Sequence, residues 1–266
     1  MKRIFSKQNR ALLSELVRTD FKLRYQGSIL GYAWSLLRPL FMFAIIYIVF
    51  VEIFPLGKGI PHYPVYLLLG IVMWNFFSEM TTLSTTSIVD RRDLIRKVRI
   101  PTWIVVVSTS LAALINVSLN MVVVLIFMVL NHVELSPLVI VLPVILLEEY
   151  LCALGVSLFL ATTFVKFRDI RYVWEVVLQG AFYITPIIYP LTRITNLTVQ
   201  KLLLLNPVAQ AIQDARYVAI TNQATTVYKV FDGGWYSFIP LIIVVVVLMI
   251  GVTYFRRESK YFAENI

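Results

Sequence analysis

Two adjacent acids, Glu148 and Glu149, stand inside a long apolar run and are the residues whose chemistry most needs explaining. A charge near the middle of a bilayer costs at least ~2.5 kcal/mol, so an acid there is neutral, paired or part of an ion path. Consecutive helical residues point about 100° apart, so the two cannot share one partner. Asn116 and Asn120 lie in the preceding apolar run, and residues 131–136 form a tight turn between the runs. Matching depths from that turn sets Asn120 opposite residue 147 and Asn116 opposite residue 151. The expectation is that at least one Glu bonds across this hairpin to Asn116 or Asn120 in a structural role. The other then faces the bundle interior or a wet cavity. Proton coupling through the pair is the alternative.

No catalytic or metal-binding constellation accompanies them. His62 and His132 are solitary and sit in loops, and Cys152 is the only cysteine, which excludes an internal disulfide or a cysteine-rich metal cluster. Gly57-Lys58 comes nearest to a nucleotide-binding loop, but Glu52 occupies the position that needs the first glycine. A phosphate cradle requires that glycine-rich backbone. The chain is therefore expected to hold no cofactor, to bind no ATP through such a loop and to be no enzyme.

The elements that must position these residues are membrane helices. Of 266 residues, 59% are hydrophobic and 15% charged, against about 25% charged in soluble domains. A span needs roughly 20 predominantly apolar residues. Six candidates appear, at about Gly31–Phe54, Pro64–Ser87, Thr102–Leu130, Pro137–Val165, Tyr172–Tyr189 and Ser237–Phe255, the fifth being short. Residues 7–25 read as an amphipathic helix, with Leu12, Leu13, Leu16, Val17, Phe21 and Leu23 on one half. Asp20 and Arg24 interrupt that half, at a spacing that lets them pair. Such a basic helix lies in the headgroup plane. Residues 190–235 hold apolar pieces too short to cross, split by Asn206-Pro207, and read as re-entrant or surface helices. The expected fold is an all-α integral membrane protein with an N-terminal interfacial helix, six transmembrane helices and short helices between spans five and six.

Charge sets the orientation. Of 24 Lys and Arg, 19 lie in the N-terminal arm, at Arg38, in the 90–99 and 166–171 loops and in the C-terminal tail. Lys58, Arg193, Lys201, Arg216 and Lys229 fall on the other side. This bias predicts both termini in the cytoplasm, and it accounts for the net charge of +9 through topology and anionic lipids rather than nucleic acid.

Two patterns carry further readings. Asp90, Arg91, Arg92, Asp93, Leu94, Ile95, Arg96, Lys97 and Val98 form the most charged short loop. Leu94, Ile95 and Val98 give it an apolar stripe suited to a groove on a partner, while the charge alone is also a topology signal. In the first span Phe43, Tyr47, Phe50 and Phe54 share one face, with Tyr32 on the same side, and Trp34 and Phe41 lie opposite. That stripe is helix packing, a lipid-facing surface, or a track on which the apolar faces of sugar rings stack.

Several motifs together resemble the ABC-2 type permeases, and among them the polysaccharide exporters that handle O-antigen or teichoic-acid chains. Residues 20–40, DFKLRYQGSILGYAWSLLRPL, are similar to the family's entry into its first membrane helix. Arg92–Pro101 resembles its first cytoplasmic loop, and Phe167-Arg-Asp-Ile-Arg-Tyr172 with Thr185-Pro-Ile-Ile-Tyr-Pro190 resembles the run around its fifth helix. Leu205-Asn-Pro-Val208 is similar to the turn between its two external re-entrant helices. The resemblance implies a homodimeric permease in the bacterial cytoplasmic membrane, with ATP and Mg bound by a separate ATPase subunit and a lipid-linked polymer as substrate. It also implies that the 90–101 loop is the coupling helix on that ATPase and that the first helix borders the channel, with Tyr32, Phe43, Tyr47, Phe50 and Phe54 as lining candidates. Residues 1–30 would be the interface helix, 31–257 the transmembrane domain with its re-entrant region at 190–235, and 258–266 the tail. A drug or small-lipid exporter of the same superfamily, an ion-coupled transporter using Glu148 and Glu149, and a membrane glycan transferase are the competing readings.

Overall fold

A computed structural model describes residues 7–24, 31, 33–53, 57, 59–98, 100–134 and 136–262, the side chains of residues 7, 8, 20–24, 52 and 98 excepted. The described residues form helices and loops without a strand. α1 is Lys7–Arg24 and α2 is Ala33–Tyr47, the latter prolonged by a wide turn at Ile48–Ile53. α3 (Tyr63–Asp90), α4 (Arg92–Val98), α5 (Thr102–Leu130) and α6 (Leu142–Lys166) follow. α7 is Ile170–Ile184, α8 Leu197–Leu204, α9 Pro207–Ala219, α10 Val227–Val230 and α11 Ile239–Glu258. Five helices are long and apolar enough to cross a membrane: α2, α3, α5, α6 and α11, each with its flanking turns. The protein is thus an all-α membrane protein. The expected fifth span, α7, has 15 residues, about 22 Å at 1.5 Å per residue against a ~30 Å hydrocarbon core. It starts after Lys166, which pairs with Glu258 at the end of α11, and with the extended residues 185–188 it reaches the start of α3 at the other end of the bundle.

α3 is the central element. Leu67, Leu68, Leu69, Ile71 and Met73 are all fully buried, because α2, α5, α6, α7 and α9 pack around them. A helix apolar on all sides in one stretch is stable only when it is enclosed in this way. α6 and α11 cross closely where Gly155 meets Gly251: a Cβ on Gly251 would stand 2.2 Å from the Gly155 carbonyl oxygen. Small residues permit that approach, and dispersion contacts between backbones replace the hydrophobic driving force that lipid does not supply.

A second core closes the end of the bundle that carries α1 and α4. Leu16 of α1, Ile88 of α3, Ile95 of α4, Ile104 of α5 and Phe255 of α11 belong to one buried cluster, with Leu12, Leu13 and Leu94 packed against it. Part of the apolar half of α1 therefore rests on protein, chiefly α5, rather than only on a membrane surface. The apolar side of α4 also turns inward. A seven-residue helix between two long spans buries its stripe against the nearest apolar surface, which is its own bundle. Arg92, Asp93, Arg96 and Lys97 are left exposed.

At the opposite end the chain breaks. α7 stops at Thr185, whose extended backbone (φ −71°, ψ 133°) ends the helix before Pro186. Asn196 caps α8 by accepting from the Thr198 and Val199 amides, and Asn206 caps α9 by accepting from Val208 N with Pro207 in the first turn. α9 then enters the bundle between α3 and α6, with Val208–Gln213, Ala215, Arg216, Val218 and Ala219 buried.

Arg216 fixes it there. Its Nε donates to the Tyr66 carbonyl (3.1 Å), Nη1 to the Pro186 carbonyl (2.7 Å) and Nη2 to the Ile187 carbonyl (2.6 Å). Its guanidinium carbon stands 3.7 Å from the Tyr66 ring centroid. A Cβ on Gly70 would come within 2.3 Å of Nη2, so only glycine admits the fork. Tyr63 donates its hydroxyl to the Ile188 carbonyl, and Gln213 Nε2 donates to the Pro186 carbonyl at 3.4 Å.

Replacing Arg216 by Lys keeps the charge and loses the planar fork. At ~1–3 kcal/mol for each buried carbonyl left without a donor, Arg216→Lys is expected to lower the melting temperature of the detergent-purified protein by several degrees. A melting temperature equal to wild type would show that these carbonyls need no clamp.

Candidate functional site

The site begins with a periodicity on α3. Between Ile71 and Asp90, the residues that are not buried are Asn75, Ser78, Glu79, Thr82, Leu83, Thr86, Val89 and Asp90. Their spacing puts them on one helical face, and all but two are polar. The other exposed surfaces of the bundle differ. α5 presents Ile115, Leu119, Val122, Ile126 and Val129, and α11 presents Leu241, Ile242, Val245 and Met249. Those faces suit lipid, whereas an amide, two carboxylates and three hydroxyls do not.

α7 packs on one flank of this face. Trp174 Nε1 donates to Thr81 Oγ1 at 3.0 Å, and Trp74 meets the Phe182 ring with centroids 6.0 Å apart. On the other flank α2 splays from α3 and leaves a groove of about 510 Å³. Trp34, Ser35, Arg38 and Pro39 of α2 form one wall, Asn75, Ser78, Glu79, Thr82 and Leu83 of α3 the other, and Asn116 of α5 the floor. Asn116 Nδ2 donates to both Glu79 oxygens, at 2.9 and 3.2 Å.

This pairing departs from the expected hairpin bond. Asn116 reaches Glu79, and Asn120 Nδ2 donates to the carbonyls of Ser35 (3.3 Å) and Asn116 (2.9 Å), so neither amide serves Glu148 or Glu149. Equal depth in a hairpin does not fix rotation, and α5 directs these amides toward α2 and α3. Glu148 instead lies near Gln210 of α9, whose Nε2 donates to Asp214 Oδ2 at 2.6 Å. Glu149 is 1% exposed, and neither oxygen meets a partner among the described residues.

The aromatic stripe of α2 is directed at the bundle. Phe43 is 8% exposed and packs edge-on against Phe127 of α5 at 5.6 Å, with Tyr47 and Phe50 half-buried beside the same core. Trp34 and Phe41, on the opposite side, are 42% and 56% exposed. Tyr32 and Phe54 lie outside the described residues, as do the side chains of Asp20, Arg24 and Val98. In the 90–99 loop Arg91 is half-buried, its Nη1 donating to Ser108 Oγ at 3.4 Å, and this burial pulls the guanidinium below its usual range. It stays protonated, as arginine does in proteins.

Sequence reasoning missed Asn75, Glu79, Gln210, Asp214 and Arg216. The α3 stripe was hidden because Thr81, Ser84, Thr85 and Ser87 make the helix polar on its other faces too. Thr81, Thr85 and Ser87 return their hydroxyls to carbonyls one turn back, which satisfies them within the helix.

Residues 11–220 match the protein family described as ABC-2 type transporter. The chain is 31% identical over 201 residues to the O-antigen export system permease protein RfbA of Myxococcus xanthus, covering 75% of this chain and 76% of the relative. It is 25% and 23% identical, each over 256 residues, to two Klebsiella pneumoniae proteins of the same name, covering 95% of this chain and 94% of each relative.

The two acids of α6 are expected to separate on mutation. Glu149→Met removes an unpaired, fully buried acid and is neutral or stabilising by ~1–3 kcal/mol, while Glu148→Met takes away a half-buried acid with polar neighbours on α9 and is expected to gain less. Thermal unfolding in detergent reads the order. A Glu149→Met protein less stable than Glu148→Met would reverse this assignment.

Proposed function

Because the chain belongs to the ABC-2 type transporter family, we propose that it is the transmembrane permease subunit of an ATP-driven exporter of lipid-linked polysaccharide. The O-antigen permeases among its relatives support a substrate of O-antigen or teichoic-acid type. The observation that carries the reading is the open polar face of α3 in a bundle whose other faces suit lipid. Such a face belongs beside water or beside a hydroxyl-rich chain. A pathway for drugs or small lipids would favour apolar walls instead.

One copy presents this face as an open trough between α2 and α7, both of which carry exposed apolar residues: Phe41 and Ile45 on α2 with Ile48 in the turn that prolongs it, and Tyr172, Val176 and Tyr183 on α7. Two copies meeting along those rims would close the trough into a channel and bury the apolar rims. The permease is thus a homodimer in the cytoplasmic membrane, with both termini cytoplasmic by the charge bias. Residues 1–30 form its interface segment, 31–257 its transmembrane domain and 258–266 its tail.

ATP and Mg belong to a separate ATPase on the cytoplasmic face. The exposed side of α4, with Arg92, Asp93, Arg96 and Lys97, docks that ATPase. Ile95 roots α4 in the cluster shared by α1, α5 and α11, so a push on α4 is transmitted to the spans.

Tagged permease is expected to co-purify with an ATPase on which export of surface glycan depends. Arg96→Glu with Lys97→Glu should weaken that association at least ~10-fold, since like charges placed at a docking surface cost several kcal/mol. Both side chains are exposed, so the permease itself should stay folded. Unchanged co-purification and unchanged export would leave the loop as a topology signal alone.

A further inference from the structure

The groove at the foot of α2 has a composition that lipid packing does not require. Trp34 holds its indole 42% exposed at one wall. Across from it Asn75, Ser78 and Glu79 present amide, hydroxyl and carboxylate groups from successive turns of α3. Asn116, only 6% exposed, gives its Nδ2 to Glu79, while its Oδ1 has no hydrogen-bond partner among the described residues. A buried acceptor without a donor among the described residues is open to a water or to a bound hydroxyl. The groove volume of about 510 Å³ falls within the ~300–1,000 Å³ typical of small-molecule sites.

We propose that this groove is a saccharide subsite, in which Trp34 stacks on one sugar ring while Glu79, Asn75 and Asn116 bond its hydroxyls. The inference rests on the export reading and adds to it a defined station within the polar trough. A pyranose has one face of C–H bonds and a rim of hydroxyls. The C–H face lies flat on an indole, whose π-cloud carries negative charge. The hydroxyls are donors and acceptors together, and they need acceptor-rich groups at the ring edge. A carboxylate has about four acceptor sites, so Glu79 can hold Asn116 and a sugar hydroxyl together. A sugar hydroxyl entering the groove would also supply the donor that Asn116 Oδ1 lacks. Arg38, exposed at the rim, adds a donor fork for a ring oxygen or an acidic substituent. Stacking and hydroxyl pairing recognise a ring without fixing its identity, which is what a chain moving through the site in steps requires.

The test uses the full chain with its ATPase in cells whose surface glycan depends on this permease. A photoreactive benzoyl-phenylalanine is placed at Trp34, at Ser78, or at the apolar exposed positions Val122 and Ile126 of α5. After illumination the permease is purified under denaturing conditions and stained for glycan. Glycan-bearing adducts are expected at 34 and 78 and not at 122 or 126. With the probe at 78, Trp34→Leu should reduce the adduct about threefold to tenfold, the worth of one aromatic contact, and Trp34→Tyr should restore most of it. Absence of glycan adducts at 34 and 78 in cells that export normally would overturn the subsite and leave the export reading standing. Adducts of lipid alone at those positions would overturn it too. Surface glycan that persists when the permease is deleted would overturn the export reading itself, and the subsite with it.

Discussion

Arg216 holds together the part of the molecule that could least be expected to hold. A broken stretch of backbone, Pro186 to Ile188, sits against the first turns of α3, and its carbonyls have no helical partners. One guanidinium meets two of them and the Tyr66 carbonyl, and the Tyr63 hydroxyl meets the third. Irregular backbone at membrane depth persists only where protein or enclosed water satisfies it. The cost of burying the arginine is offset by the same bonds, because a guanidinium with its donors occupied and a ring beneath it is poorly served by water alone. Through this contact α9, the end of α7 and the start of α3 become one unit. α9, the helix that the arginine holds, also sets the bonded pair Gln210 and Asp214 near Glu148 of α6.

With that end fixed, the arrangement of polar groups across the membrane becomes consistent. α3 is enclosed on the sides where α5, α6, α7 and α9 pack, and it opens on one face. That face is polar, and α2 and α7 stand on its two sides. An open polar face in hydrocarbon would cost several kcal/mol for each unsatisfied group. The fold that exposes it must therefore give it water, substrate or a second copy. At the other end, α1 and α4 share a small core with the ends of α3, α5 and α11, which joins the helix carrying the exposed charges Arg92, Asp93, Arg96 and Lys97 directly to three of the spans.

Much of the architecture was legible in the chain because membrane helices write themselves in long apolar runs. The bounds of α5 matched to the residue, and those of α3, α6 and α11 came within a few residues, since Pro, Gly and charge clusters punctuate them. The Asn-Pro start of α9 was legible too, because its capping chemistry is local. Rotation was not legible. The depths of Asn116 and Asn120 were sound, yet their direction depends on which neighbour packs on which side of α5. The same holds for Phe43, which shares a face with Tyr47 as the spacing said but turns that face to α5. Arg216 was counted as a loop charge because the sequence gives no sign that a 13-residue helix with two glutamines and an aspartate is swallowed by the bundle.

Export along α3 requires that its open face border water. Single cysteines at Asn75, Ser78, Thr82 and Thr86, introduced with Cys152 changed to Ala, test it in membranes containing permease and ATPase together. Reactivity toward a charged, water-soluble thiol reagent is compared with cysteines at Val122 and Ile126 of α5 and Val245 of α11, which are exposed but apolar in their surroundings. Fast labelling is expected at the four α3 positions and little at the other three. Labelling of the α3 positions no faster than at Val122, Ile126 and Val245 would contradict it, because that face would then lie in lipid or in a dry contact.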